Sequence, residues 1–99
     1  MSYLLRFSQA ARDDIERLYR FLAEQHIPSA NAAIAALEKG WDVLRDFPYA
    51  CRKIDPANPF LRELLIPFGG GGYVALYEID DASTLTILAV RHQREDDYH

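Results

Sequence analysis

Apolar positions change period along the chain, and those changes divide it into elements. Tyr3-Leu4-Leu5-Arg6-Phe7 is short, aromatic and apolar, which predicts an opening strand. Ser8 stands where a helix N-cap is needed, because its hydroxyl can accept from a free amide of the first turn. From Gln9 to about Gln25, the residues Ala11, Ile15, Leu18 and Leu22 recur at three-to-four spacing, one stripe of an amphipathic helix. Tyr19 and Phe21 widen that stripe, and Glu16 with Arg20 forms a favourable i,i+4 pair. His26-Ile27-Pro28 ends the helix, since a proline ring disfavours helical geometry at the residue before it. Ser29 is the expected cap of a second helix reaching about Arg45, with Ala33, Ile34, Leu37, Trp41 and Leu44 facing inward. Its alanines, Ala30, Ala32, Ala35 and Ala36, favour helix and leave room for close packing. Phe47-Pro48 closes it. The short link makes the two helices an antiparallel hairpin.

Residues 49–59 hold two of the five prolines and no periodicity, so they read as a loop. Three strands follow at Phe60–Pro67, Tyr73–Asp80 and Thr84–Val90, joined by Gly69–Gly72 and by the turn Asp80-Asp81-Ala82-Ser83. The expected order is β-α-α-β-β-β, an α+β fold with a helical hairpin packed on a small antiparallel sheet. The first strand must join that sheet at an edge or beside a later strand. A chain of 99 residues fits one domain spanning 1–99.

The formal net charge is −4, which argues against a surface that is basic throughout, as nucleic-acid binders usually require. From Phe47 to Arg94, however, Arg52, Lys53, Arg62, Arg91 and Arg94 balance the acidic residues, so a local positive face is expected. Cys51 is the single cysteine, which fits a reducing compartment and reads as a small apolar filler. No stretch approaches the ~20 apolar residues of a membrane span, and the start lacks a signal-peptide pattern; a cytoplasmic protein is expected. The four consecutive glycines precede a strand and no lysine follows them, so they are a hairpin connection and not a phosphate loop. His26, His92 and His99 lack metal-ligand spacing. Neither metal nor cofactor is expected.

Candidate chemistry concentrates just beyond the last strand, in Arg91-His92-Gln93-Arg94-Glu95-Asp96-Asp97-Tyr98. Two guanidiniums, an imidazole and a phenol can stabilise charge on phosphate and move protons, and Arg62 from a neighbouring strand can join them. The corresponding reaction is RNA cleavage by attack of a 2′-hydroxyl. The competing reading is a set of strand-end cations paired with carboxylates such as Glu95.

Several landmarks in order resemble the RelE/ParE toxin superfamily, also known as plasmid stabilisation proteins. They are Ala11-x-x-Asp14-Ile15, Asn31-Ala32-Ala33, Leu44-x-x-Phe47-Pro48, Leu61-Arg62-Glu63-Leu64, Tyr73–Ile79 and Ile87–Arg94, the last being the most specific. The resemblance implies the toxin half of a type II toxin–antitoxin pair, held in a hetero-oligomer by a cognate antitoxin whose extended or helical segment wraps it. RelE-like members cut messenger RNA in the ribosome, and Arg62, Arg91, His92, Arg94 and Tyr98 are the positions that would match such an activity. ParE-like members inhibit DNA gyrase without nuclease chemistry. The central strand Tyr73–Asp80 has no positive charge and the only lysines are Lys39 and Lys53, which favours the ParE-like branch. There Arg62 is expected to be structural, pairing with an acidic residue, with His92 and Arg94 in recognition or packing. A further alternative is a degenerate member that binds antitoxin and is not toxic.

Overall fold

The computed structural model describes residues 2–93. They form β1 (Leu4–Phe7), α1 (Gln9–Gln25), α2 (Ile27–Asp46), β2 (Arg52–Asp55), β3 (Asn58–Phe68), β4 (Gly71–Ile79) and β5 (Thr84–His92). The helical hairpin and the closing antiparallel meander are as the pattern predicts. The sheet has five strands in the order β1-β5-β4-β3-β2. It is mixed rather than wholly antiparallel, because β1 lies parallel to β5 at one edge.

Three local expectations are corrected. The expected loop 49–59 contains β2, which pairs antiparallel with β3 through Arg52↔Glu63 and Lys53↔Arg62. All four residues of β2 are exposed, so no apolar alternation marks it. Ser29 is not a cap: α2 begins at Ile27 with His26 in the cap position, and Pro28 occupies the first turn. A proline is tolerated there because its missing N–H would have no helical acceptor anyway. The Ser29 hydroxyl instead meets His26 Nδ1 at 2.9 Å. Finally, β3 runs through Pro67 to Phe68.

Leu37, Trp41 and Leu44 of α2 and Ala11 of α1 pack on Ile66, Tyr73, Ala75, Tyr77, Leu85, Ile87 and Val90 of the sheet. Trp41 is in this core as expected, with its ring 5.4 Å from Phe7 in an edge-to-face contact. Phe21 lies outside it, 61% exposed. Gly40 is the point of closest approach between α2 and β3. A Cβ there would stand 2.8 Å from the Ile66 Cδ1, so a larger residue would require the Ile66 side chain to shift.

The seating of α1 follows from a gap beside β5. β1 pairs with β5 only from Thr84 to Ile87, and the β4–β5 register then shifts, leaving Leu88 as a bulge. The first turns of α1 fill that gap. Ser8 Oγ accepts from the Ala11 amide at 3.0 Å and donates to the Leu88 carbonyl at 3.0 Å. Asp14, 5% exposed, accepts from the Val90 amide at 2.9 Å and from the Arg91 guanidinium, and its other oxygen takes Arg17 at 3.1 Å.

Replacing Asp14 with alanine removes the acceptor from a buried amide and strips a guanidinium of its counter-charge. The expected cost is about 2–4 kcal/mol in urea unfolding. A loss under about 0.5 kcal/mol would show that the helix is held by apolar packing alone.

Candidate functional site

Arg62 lies in the middle of β3 opposite Tyr77 and is only 8% exposed. Its NH1 donates to the carbonyls of Tyr49 (2.7 Å) and Cys51 (2.9 Å), and its Nε donates to that of Pro59 (2.8 Å). The guanidinium carbon also sits 5.1 Å from the centre of the Tyr49 ring. Next to it, the Tyr77 hydroxyl donates to the Pro48 carbonyl at 2.6 Å. Arg62 and Tyr77 together hold the returning segment 48–59 against the sheet. The bonds of Arg62 go to carbonyls, where the sequence suggested a carboxylate.

Arg91 is bound to Asp14 and to the Val90 carbonyl. His92 meets the edge of Tyr73 at 5.7 Å, and Tyr73 stacks on Phe68 at 5.8 Å. Arg94 and Tyr98 lie outside the described residues. Arg62 is registered to Tyr77 and His92 to Tyr73. Their partners lie four positions apart along β4, roughly 13 Å at strand rise. The structure does not bring Arg62 and the Arg91–His92 pair into one cluster.

Burial pushes the phenols of Tyr73 and Tyr77 above their usual range, so both stay protonated donors at neutral pH. Neither is placed to act as a base.

A concave surface away from these residues is apolar. A trough of about 550 Å³ runs between α2 and the second half of β3. Ala32, Ala35, Ala36 and Gly40 form its helix wall, and Leu64–Phe68 form its strand wall. Lys39 is the single charged residue lining it. Leu65 (47%) and Val43 (43%) are large apolar residues left exposed along it. A smaller hollow continues past Val43 to Cys51, Arg52 and Glu63, beside β2. The signal for this trough in the sequence was the small-residue face of α2, which can equally pack against another element.

Among known proteins, the family model described as "ParE toxin of type II toxin-antitoxin system, parDE" matches residues 5–97. No curated protein matches the chain. Solved structures that share the fold include two toxin–antitoxin complexes. One, titled a chromosomal ParDE toxin–antitoxin system from P. aeruginosa, has a TM-score of 0.71 at 15% identity, covering 92% of this chain and 96% of that one. The other, titled the toxin–antitoxin complex RelBE2 from Mycobacterium tuberculosis, has a TM-score of 0.60 at 28% identity, covering 93% and 99%.

Two measurements check the geometry. Arg62→Met leaves three carbonyls without their donor and is expected to lower stability by about 2–4 kcal/mol, read by urea unfolding. The second concerns alkali. A phenol whose value is raised on folding contributes stability that is full below its ordinary value of 10.0 and is lost as pH rises through the folded value. Unfolding free energy should therefore fall above about pH 10, by up to about 1.4 kcal/mol per pH unit for each tyrosine. Tyr77→Phe should flatten that slope; an unchanged slope refutes the assignment.

Proposed function

The chain belongs to the ParE toxin family of type II toxin–antitoxin systems, and we propose that it arrests growth by binding DNA gyrase, without chemistry of its own, until a cognate antitoxin covers it. The observation supporting a binding mechanism is the engagement of both described candidate arginines within the fold. Arg62 is buried on three carbonyls, and Arg91 is tied to Asp14. A nuclease would need those guanidiniums turned toward phosphate. The formal net charge of −4 adds repulsion against ribosomal RNA.

The antitoxin is read into the apolar trough between α2 and β3, where exposed Val43 and Leu65 are left for a partner to cover. Toxin and antitoxin form a hetero-oligomer in the cytoplasm. The ribosome-dependent alternative draws on the 28% identity to the RelBE2 complex and on His92 beside Tyr73 as the remaining acid–base pair. In that case, Arg94 and Tyr98 would complete the set.

Expression without the neighbouring gene separates the readings. Growth arrest relieved by co-expression of that gene is expected, with accumulation of gyrase–DNA cleavage complexes in a purified reaction. Messenger cuts at the ribosomal A site, with gyrase unaffected, would transfer the function to RNA cleavage. Normal growth would leave an antitoxin-binding protein without toxicity.

A further inference from the structure

A separate hollow lies near the start of β3, away from the trough. Tyr49, Phe60, Ile79, Asp80, Asp81 and Ala82 line it, and its volume is about 290 Å³. Sites for whole small molecules run from about 300 to 1,000 Å³, so this hollow suits one side chain better than a cofactor. Phe60 and Leu64, the nearest trough residue on β3, are four positions apart, roughly 13 Å at strand rise. The two concavities can therefore serve different contacts.

Two aromatic rings form the walls. Tyr49 and Phe60 stand half-exposed beside buried Ile79. Arg62 fixes the first wall, since it donates to the Tyr49 carbonyl and its guanidinium carbon lies 5.1 Å from the centre of that ring. At the second wall, the Phe60 amide donates to the Asn58 side chain at 3.2 Å. Both rings are held in place before any partner arrives, so covering them costs little further ordering.

The turn between β4 and β5 supplies the charge. One oxygen of Asp80 accepts from the Thr86 hydroxyl at 2.6 Å. One oxygen of Asp81 accepts from the Ser83 amide at 2.8 Å and the Thr84 amide at 2.9 Å. Those bonds, the Ser83 amide first, hold the Asp81 carboxyl below its usual range, so it is charged at neutral pH. Among the described residues neither aspartate has an ion pair, and each has its second oxygen free of hydrogen bonds. Carboxylates elsewhere are neutralised within the fold, as Glu16 is by Arg20 and Asp42 by Arg45.

A cation complements both features. Aromatic faces attract it, and a guanidinium stacks on them more readily than a strongly hydrated ammonium. Its planar fork of donors can also reach two carboxylates at once. We propose that this hollow seats one arginine side chain from the surface of DNA gyrase, laid against Tyr49 and Phe60 and bonded to Asp80 and Asp81. The inference rests on the gyrase reading and deepens it by naming the contact. An enzyme that grips DNA presents arginines to phosphate, and a chain of formal net charge −4 is drawn to such a surface. A second copy of this chain carries the same net charge and is repelled.

The test measures binding of the purified chain to purified gyrase. Asp80→Asn combined with Asp81→Asn removes the charge, while the amide oxygens still accept from Thr86, Ser83 and Thr84. That variant should weaken binding about tenfold at low salt, by a factor that shrinks as salt rises. Phe60→Leu removes the ring and keeps an apolar wall; it should weaken binding about two- to fivefold. Urea midpoints and binding of the protein encoded by the neighbouring gene should not change in either variant.

If gyrase binds both variants as tightly as the parent chain, the hollow is not the contact; the proposal fails and the gyrase reading survives. A parent chain that neither binds gyrase nor accumulates cleavage complexes overturns both. Loss of the neighbour-encoded protein in these variants makes that protein the occupant, and a dimer of this chain that the variants dissolve makes it a second copy; either result overturns the proposal. A structure of the parent chain with gyrase needs no variant, so a variant that misfolds does not spare the idea. It should show an arginine between Tyr49 and Phe60, and an empty hollow there refutes it.

Discussion

Past Ile87 the fifth strand has, among the described residues, no neighbouring strand on its outer side, and its backbone groups there must still find partners. Ser8 and Asp14 provide them, and α1 is held at β5 because Ser8 caps its start and Asp14 lies in its second turn. Ser8 serves twice, ending the strand pairing and starting the helix with a single hydroxyl. Once α1 is fixed, the hairpin fixes α2. Gly40 then allows α2 to settle onto Ile66, which places the small-residue face of α2 over the second half of β3. The trough at one edge of the sheet is thus a consequence of how the opposite edge is closed.

Sheet edges expose unpaired donors and acceptors, and a protein must cap, charge or cover them. Here the two edges receive opposite treatment. Helix, carboxylate and guanidinium cover the β1 side. On the other side, β2 is four exposed residues with Arg52 and Lys53, a charged edge that resists indiscriminate pairing. Among the described residues, the stretch beyond Glu63 combines open backbone with apolar walls.

The parts that could be read in the sequence were those with a local physical cause. Ser8 as a cap and the Ala11–Leu22 stripe gave α1 its observed bounds, Gln9–Gln25. The β-branched run at Thr84 marked β5. Other features depend on the fold itself. β2 has no buried face, so nothing in its pattern separates it from loop. Pro67 stays within β3 because the missing N–H faces an opening, a fact about the neighbours of that strand. Pro28 fits inside α2 because it falls in the first turn, which moved the start two residues ahead of the expected cap at Ser29. Asp14 and Arg91 are 77 residues apart, and no spacing rule pairs them.

The same limit explains why the candidate site looked richer in the sequence than in space. Arginine near a strand end is equally suited to phosphate and to backbone carbonyls, and composition cannot separate the two. Geometry separates them at Arg62, whose charged donor makes three bonds to carbonyls that together are worth about 2–4 kcal/mol. Turning that guanidinium toward a substrate phosphate would break all three and release the segment 48–59 from the sheet. Arg91 faces the same penalty through Asp14, which would be left buried with Arg17 as its remaining cation. The two residues most suggestive of RNA chemistry are thus the ones the fold can least release.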